Sequence, residues 1–124
     1  MKTENIDEKL NLGVLSEVAK ERMRQIGKGF DAAHDDRYVR NELLRAAIAY
    51  ADHDDTPGPF ESILGMKKGA PFGWPWDERW WRPEGKRKNL IKATALLLAE
   101  IEKMDRKAAR ELSPEKTGEN GVSP

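Results

Sequence analysis

The run Ala93-Thr94-Ala95-Leu96-Leu97-Leu98-Ala99 is apolar on nearly every side, and its reading decides the fold. It sits within a longer stretch, Lys88 to about Ala109, whose apolar residues recur at helical spacing. Leu90, Leu97, Ile101 and Ala108 fall on one line, with Ile91, Leu98 and Met104 beside it. Apolar residues on one side of a period of about 3.6 mark the buried stripe of a helix. The spacing therefore predicts the central, most buried helix of the protein. Asn89, Lys92, Glu100 and Lys103 share the opposite side. Glu100–Lys103 and Glu102–Arg106 there read as surface ion pairs worth about 0.2–0.5 kcal/mol each.

Two further helices are expected to pack on this one. The first spans about Leu12 to Ile26, with Val14, Leu15, Val18 and Ile26 on one side and Gly27 and Gly29 as stop signals. Arg22 projects near the centre of that apolar stripe, and Glu21 and Gln25 lie at its edge. Either Arg22 lays its stem over the core, or these polar residues line a site between helices, since unpaired buried charge is costly. The second helix runs from about Tyr38 to Ala51, with Leu43, Leu44, Ala47, Tyr50 and Ala51 on its apolar face. Glu42, Ala46 and Ala49 form a neighbouring stripe whose small residues admit close approach of another helix. Between the two helices, Gly27–Arg37 reads as a loop ending in His34-Asp35-Asp36. Asp35 or Asp36 suits the N-cap of the second helix, and the triplet also has the oxygen donors of a divalent-cation site.

Asp52–Lys88 is irregular and holds five of the seven prolines and five of the ten glycines. Pro59–Leu64 reads as one short helical turn within it. All four tryptophans, Trp74, Trp76, Trp80 and Trp81, fall there within eight residues. A loop of this length inside one domain either packs as a layer of its own or serves a function. The indoles are thus the missing core, a platform for a nucleobase, or a partner-binding hot spot. Lys86-Arg87-Lys88 is the only dense basic run and lies at a helix start, where it opposes the helix dipole unless a phosphate or acid neutralises it.

Composition narrows the function classes. Lys plus Arg number 22 and Asp plus Glu 22, so the net charge is zero and no strong nucleic-acid signal exists. Cysteine is absent, which removes disulfides, thiolate zinc sites and thiol nucleophiles. No apolar run approaches the roughly 20 residues of a membrane span, and no leader segment is evident, so a cytoplasmic protein with no membrane contact is expected. Charged residues are 35% and apolar ones 38% of the 124, an aliphatic-poor balance that makes a homodimer a way to complete the core. The organisation expected is a loosely docked segment at 1–11, a single helical domain at 12–110 and a disordered tail at 111–124.

Several blocks recur in a recognisable order: Glu21-Arg22-x-Arg24-Gln25, His34-Asp35-Asp36, Glu42-Leu43-x-x-Ala46-Ala47-x-x-Tyr50-Ala51, Trp74-Pro75-Trp76, Trp80-Trp81-x-Pro83, Leu90-x-Lys92-Ala93-x-Ala95-Leu96 and Ala99-Glu100-Ile101-Glu102-x-x-Asp105-Arg106. This order resembles a set of small phage and prophage proteins over about Val18 to Arg106. More remotely, the chain is similar to the MazG-like all-α nucleoside triphosphate pyrophosphatases. That resemblance implies a helical bundle in which carboxylates hold Mg²⁺ against a nucleoside triphosphate and activate a water. Glu42 would match the first glutamate of the family's Glu-x-x-Glu helix. Glu21, Asp35, Asp36 and Glu42 would then be the metal ligands, with Glu42 and Glu21 catalytic. Arg22, Gln25 and Lys92 would bind substrate, and Trp80 and Trp81 would stack on the base. Arg45 stands where the second glutamate would fall, and Asn89 and Lys92 where the family has a Glu-x-x-Asp pair. The alternative is a non-enzymatic interaction protein that binds a partner through its Trp-rich loop.

Overall fold

The computed structural model describes residues 9–54, 56–66 and 68–112. Most of the segment expected to be loosely docked and of the expected tail lies outside them. The described residues are helical, with no strand. Three long helices, α1 (Leu12–Gly27), α3 (Glu42–Ala51) and α5 (Lys86–Leu112), are joined by two short ones, α2 (Ala32–Asp35) and α4 (Pro59–Leu64), and one 3-10 turn, Glu78–Trp80. The all-α expectation holds. No described helix is long and apolar enough to cross a membrane.

Local chemistry sets the ends. Asn11 caps α1 by accepting from the Val14 amide at 3.2 Å. Asp31, not Asp35 or Asp36, acts as a cap in the next segment, accepting from the His34 amide at 3.0 Å to start α2. The second long helix also begins later than its periodicity suggests. Asn41 is left-handed (φ 61°), a conformation asparagine tolerates better than most residues, and it breaks the run from Tyr38. The turn Pro59–Leu64 forms as read, with proline at its start and Gly65 (φ 67°) at its end. The long helix α5 extends beyond its expected ends and takes in Glu111 and Leu112, which the composition had assigned to the tail.

The core is where α3 meets α5. Leu43, Ala46, Ala47 and Tyr50 pack against Ala93, Leu96 and Ala99; of the small-residue stripe, Ala46 lies in this cluster and Ala49 packs on its edge, while Glu42 is not part of it. Trp81 completes this cluster, and Tyr38, Trp74 and Trp76 pack on its edge. Three of the four indoles are therefore built into the domain, and only Trp80 is exposed, at 46%.

The orientation of α5 overturns the hydropathy reading. The helix is where the periodicity puts it, but the line through Leu90, Leu97, Ile101 and Ala108 faces outward. Leu97 and Ile101 remain 41% and 55% exposed. The buried side carries Asn89, Lys92, Leu96 and Ala99. Its polar residues can face inward because other segments meet them. Asn89 accepts from the Glu84 amide at 2.8 Å, Lys92 donates to the Arg82 carbonyl, and the half-buried Lys103 donates to the Tyr38 carbonyl at 2.9 Å. A buried polar group that is hydrogen-bonded escapes the cost of lost hydration. In α1 the same shift occurs: Val18, Arg22 and Gln25 are buried, while Val14, Leu15 and Ile26 stay exposed.

Candidate functional site

A cleft of about 700 Å³ opens between α1, the end of α3, the tryptophan segment and the first half of α5. Glu21, Arg24 and Gln25 enter it from one side of α1, where they lie three and four residues apart, and Lys28 from the residue that ends the helix. From α5 come Lys92 and Leu96, also one turn apart. Tyr50 and all four indoles supply aromatic wall, and Arg82 and Glu84 follow directly after them in sequence.

The aromatic wall is a connected set of rings. Tyr50 stacks on Trp81 with centroids 4.7 Å apart, and Trp74 meets Trp81 edge-on at 4.9 Å and Trp76 edge-on at 5.3 Å. Such offset and edge-to-face pairs are the favourable arrangements for aromatic rings. Hydrogen bonds lock the wall to the backbone. The Tyr50 hydroxyl accepts from the Arg82 amide at 3.1 Å, and the Trp74 indole donates to the Asp77 carbonyl at 3.1 Å. Asp77 in turn caps the Glu78–Trp80 turn by accepting from the Arg79 amide at 2.9 Å.

Two ion pairs fix the polar side. Arg24 grips Glu21 through two bonds of 2.8 and 2.6 Å, and the Gln25 amide nitrogen donates to Glu21 at 3.2 Å. Burial pushes the Glu21 carboxyl up, but Arg24, with help from Gln25 and Lys92, outweighs it and holds the group below its ordinary value. Lys92 is buried, lies 2.7 Å from the Glu84 carboxylate and sits 5.3 Å from the centroid of the Tyr50 ring. That contact, first through its hydrogen bond and then its charge, holds the Glu84 carboxyl below the usual range. Arg24, Lys28, Arg82 and Lys92 face the cleft against Glu21 and Glu84, so two cations are in excess.

Of the residues expected to act together, Glu21, Gln25, Lys92, Trp80 and Trp81 line this cleft. Arg22 does not. It turns into a buried network, donating to Asp35 at 3.1 Å, to Glu102 at 3.1 Å and to the Phe30 carbonyl at 3.0 Å. Asp36 is also outside the cleft lining, held by Arg106 at 2.7 Å. This hydrogen bond keeps the Asp36 carboxyl below its ordinary value. Glu42 folds back on its own chain and accepts from the Arg40 amide at 2.8 Å.

The expected metal set of Glu21, Asp35, Asp36 and Glu42 is thus not gathered, nor is the catalytic pair Glu42 and Glu21. Among the described residues no three histidines or acids are arranged to hold a metal ion. Each of the four acids is engaged by an arginine side chain or a backbone amide instead. These residues do not fit a carboxylate-held Mg²⁺, and no step is derived through one. The Lys86–Lys88 run also lies outside the cleft lining, and Arg87 is paired with Glu17 at 2.6 Å.

Arg24, Lys28, Arg82 and Tyr50 are cleft residues that the sequence reading did not single out as site residues. For Arg24 and Lys28 the signal was present in their spacing from Glu21 and Gln25. Compared with known proteins, the chain matches no family model, no curated protein and no solved structure.

Proposed function

We propose that the protein binds a nucleoside phosphate in this cleft. One observation supports the reading above all: an exposed indole, Trp80, and an excess of cations share a single cleft of ligand size. Pockets for small ligands measure roughly 300–1,000 Å³, and this one falls within that range. An aromatic face stacks on any base, and a guanidinium or ammonium makes charge-assisted bonds to phosphate oxygens. Trp80 is the indole with the most free surface and is the natural stacking partner. Lys28 and Arg82 supply the charge beyond the two internal ion pairs. The rival reading, a partner-binding hot spot, loses weight because Trp74, Trp76 and Trp81 are committed to the domain's own packing.

ATP should raise the melting temperature and quench tryptophan fluorescence, since a ligand that binds only the folded state stabilises it. Trp80→Ala should weaken ATP binding by about fivefold or more, the effect of losing one stacked base, with the helical circular dichroism unchanged. The absence of any thermal or fluorescence response to ATP, GTP, CTP and UTP at millimolar concentration would refute the reading.

A further inference from the structure

A residue that lines the cleft carries a buried acceptor with no partner. Gln25 is 7% exposed, and its side-chain oxygen makes no hydrogen bond. The other end of the same amide is fixed, because its nitrogen donates to Glu21, which Arg24 holds in turn. A carboxylate accepts but cannot donate, so it must face the nitrogen and leave the oxygen as the free end. One donor among the cleft-lining residues is in the same condition: the indole N–H of Trp81 has no partner either. A buried polar group left unsatisfied costs roughly 1–3 kcal/mol, and an acceptor and a donor in one cleft lining are a pair that a ligand can relieve.

Resting on the nucleotide reading above, we propose that Gln25 selects the base: its oxygen accepts from an exocyclic amino group, and the Trp81 indole N–H donates to the neighbouring ring nitrogen. Adenine and cytosine present that order, an amino donor beside a ring acceptor. Hypoxanthine and uracil present the reverse, a carbonyl beside a ring N–H. A reversed base sets oxygen against oxygen at Gln25 and N–H against N–H at the indole. Arg24 and Glu21 are positioning residues in this scheme, since they hold the amide in the selecting orientation. The Gln25 oxygen and the Trp81 N–H are both closed to solvent in this conformation, so binding needs lining side chains to shift.

Two matched nucleotide pairs, ATP with ITP and CTP with UTP, test this by calorimetric or fluorescence titration. The full chain should bind ATP over ITP, and CTP over UTP, by about tenfold. Gln25→Met keeps the length of the side chain and removes the acceptor. It should bring both ratios to within about twofold, with the circular dichroism of the folded protein retained. Equal affinities within each pair for the unaltered protein would overturn the proposal even if Gln25→Met failed to fold. A preference that survives in folded Gln25→Met would overturn it as well. In both cases nucleotide binding itself stands. If none of the four nucleotides binds, the reading of the cleft fails and takes this inference with it.

Discussion

Arg22→Met is expected to destabilise the fold by about 3–5 kcal/mol at neutral pH and to regain part of that loss on acidification. Asp35 is fully buried, and the Arg22 guanidinium is the cation beside it, at 3.1 Å. Burial already pushes the Asp35 carboxyl above its ordinary value, with Arg22 pulling the other way. Removing Arg22 leaves burial in control, so the folded-state value rises further. A carboxyl whose folded value lies above its unfolded one adds stability below the unfolded value, near pH 4. It loses that stability as pH rises through the folded value. The variant should therefore gain stability, relative to the unaltered protein, from pH 7 down towards pH 5. Asp36 and Glu84 work in the opposite sense, because their values are lowered. Their contribution is present above the unfolded values and is lost only at more acid pH. Denaturant unfolding of both proteins at pH 5 and pH 7 checks the difference, and a gap independent of pH would contradict it.

Trp81→Ala should cost a further class of stability, about 3–5 kcal/mol, through the cavity it leaves. Trp81 is the buried indole of the core, stacked on Tyr50 and met edge-on by Trp74. Its loss frees one face of each neighbour at once, and the surrounding rings cannot collapse into the space without giving up their hydrogen bonds. For a domain of this size the melting temperature should fall by more than about 10 °C. Trp80→Ala is the control from the same loop. With Trp80 half exposed, that change should leave stability within about 1 kcal/mol. Equal losses from both substitutions would mean that the loop is a uniform layer, with no division between core and cleft.

The contrast between Trp80 and Trp81 marks what a single sequence can show. Helices announce themselves through spacing, and α1, α3, α4 and α5 all form where spacing puts them, within a few residues. Which side of α5 is buried depends on partners far away in the chain. Lys92 faces inward because Glu84 and the Arg82 carbonyl are there, and Lys103 because the Tyr38 carbonyl is. Hydropathy counts those residues as solvent-facing, so the leucine line was read as the core. The acids mislead for the same reason. Glu21 and Arg24 lie three residues apart, a pairing visible in the sequence, whereas Asp36 meets Arg106 across 70 positions. The cleft was half legible, since the tryptophans, Lys92 and the Glu21–Gln25 pair share it, and nothing in their order along the chain says that they converge.

The outward leucine line also governs how the protein responds to temperature. Leu90, Leu97, Leu98, Ile101 and Met104 remain between 36% and 59% exposed in the native state. Heat capacity rises on unfolding in proportion to the apolar surface newly wetted, and here much of that surface is wet beforehand. Calorimetry should give a heat-capacity increment below the usual value of about 12–15 cal/mol/K per residue. An ordinary increment that grows with protein concentration would instead place those leucines in a contact between copies of the chain. With a small increment the stability curve is broad and shallow, so the fold holds a modest but nearly constant margin from cold to warm conditions.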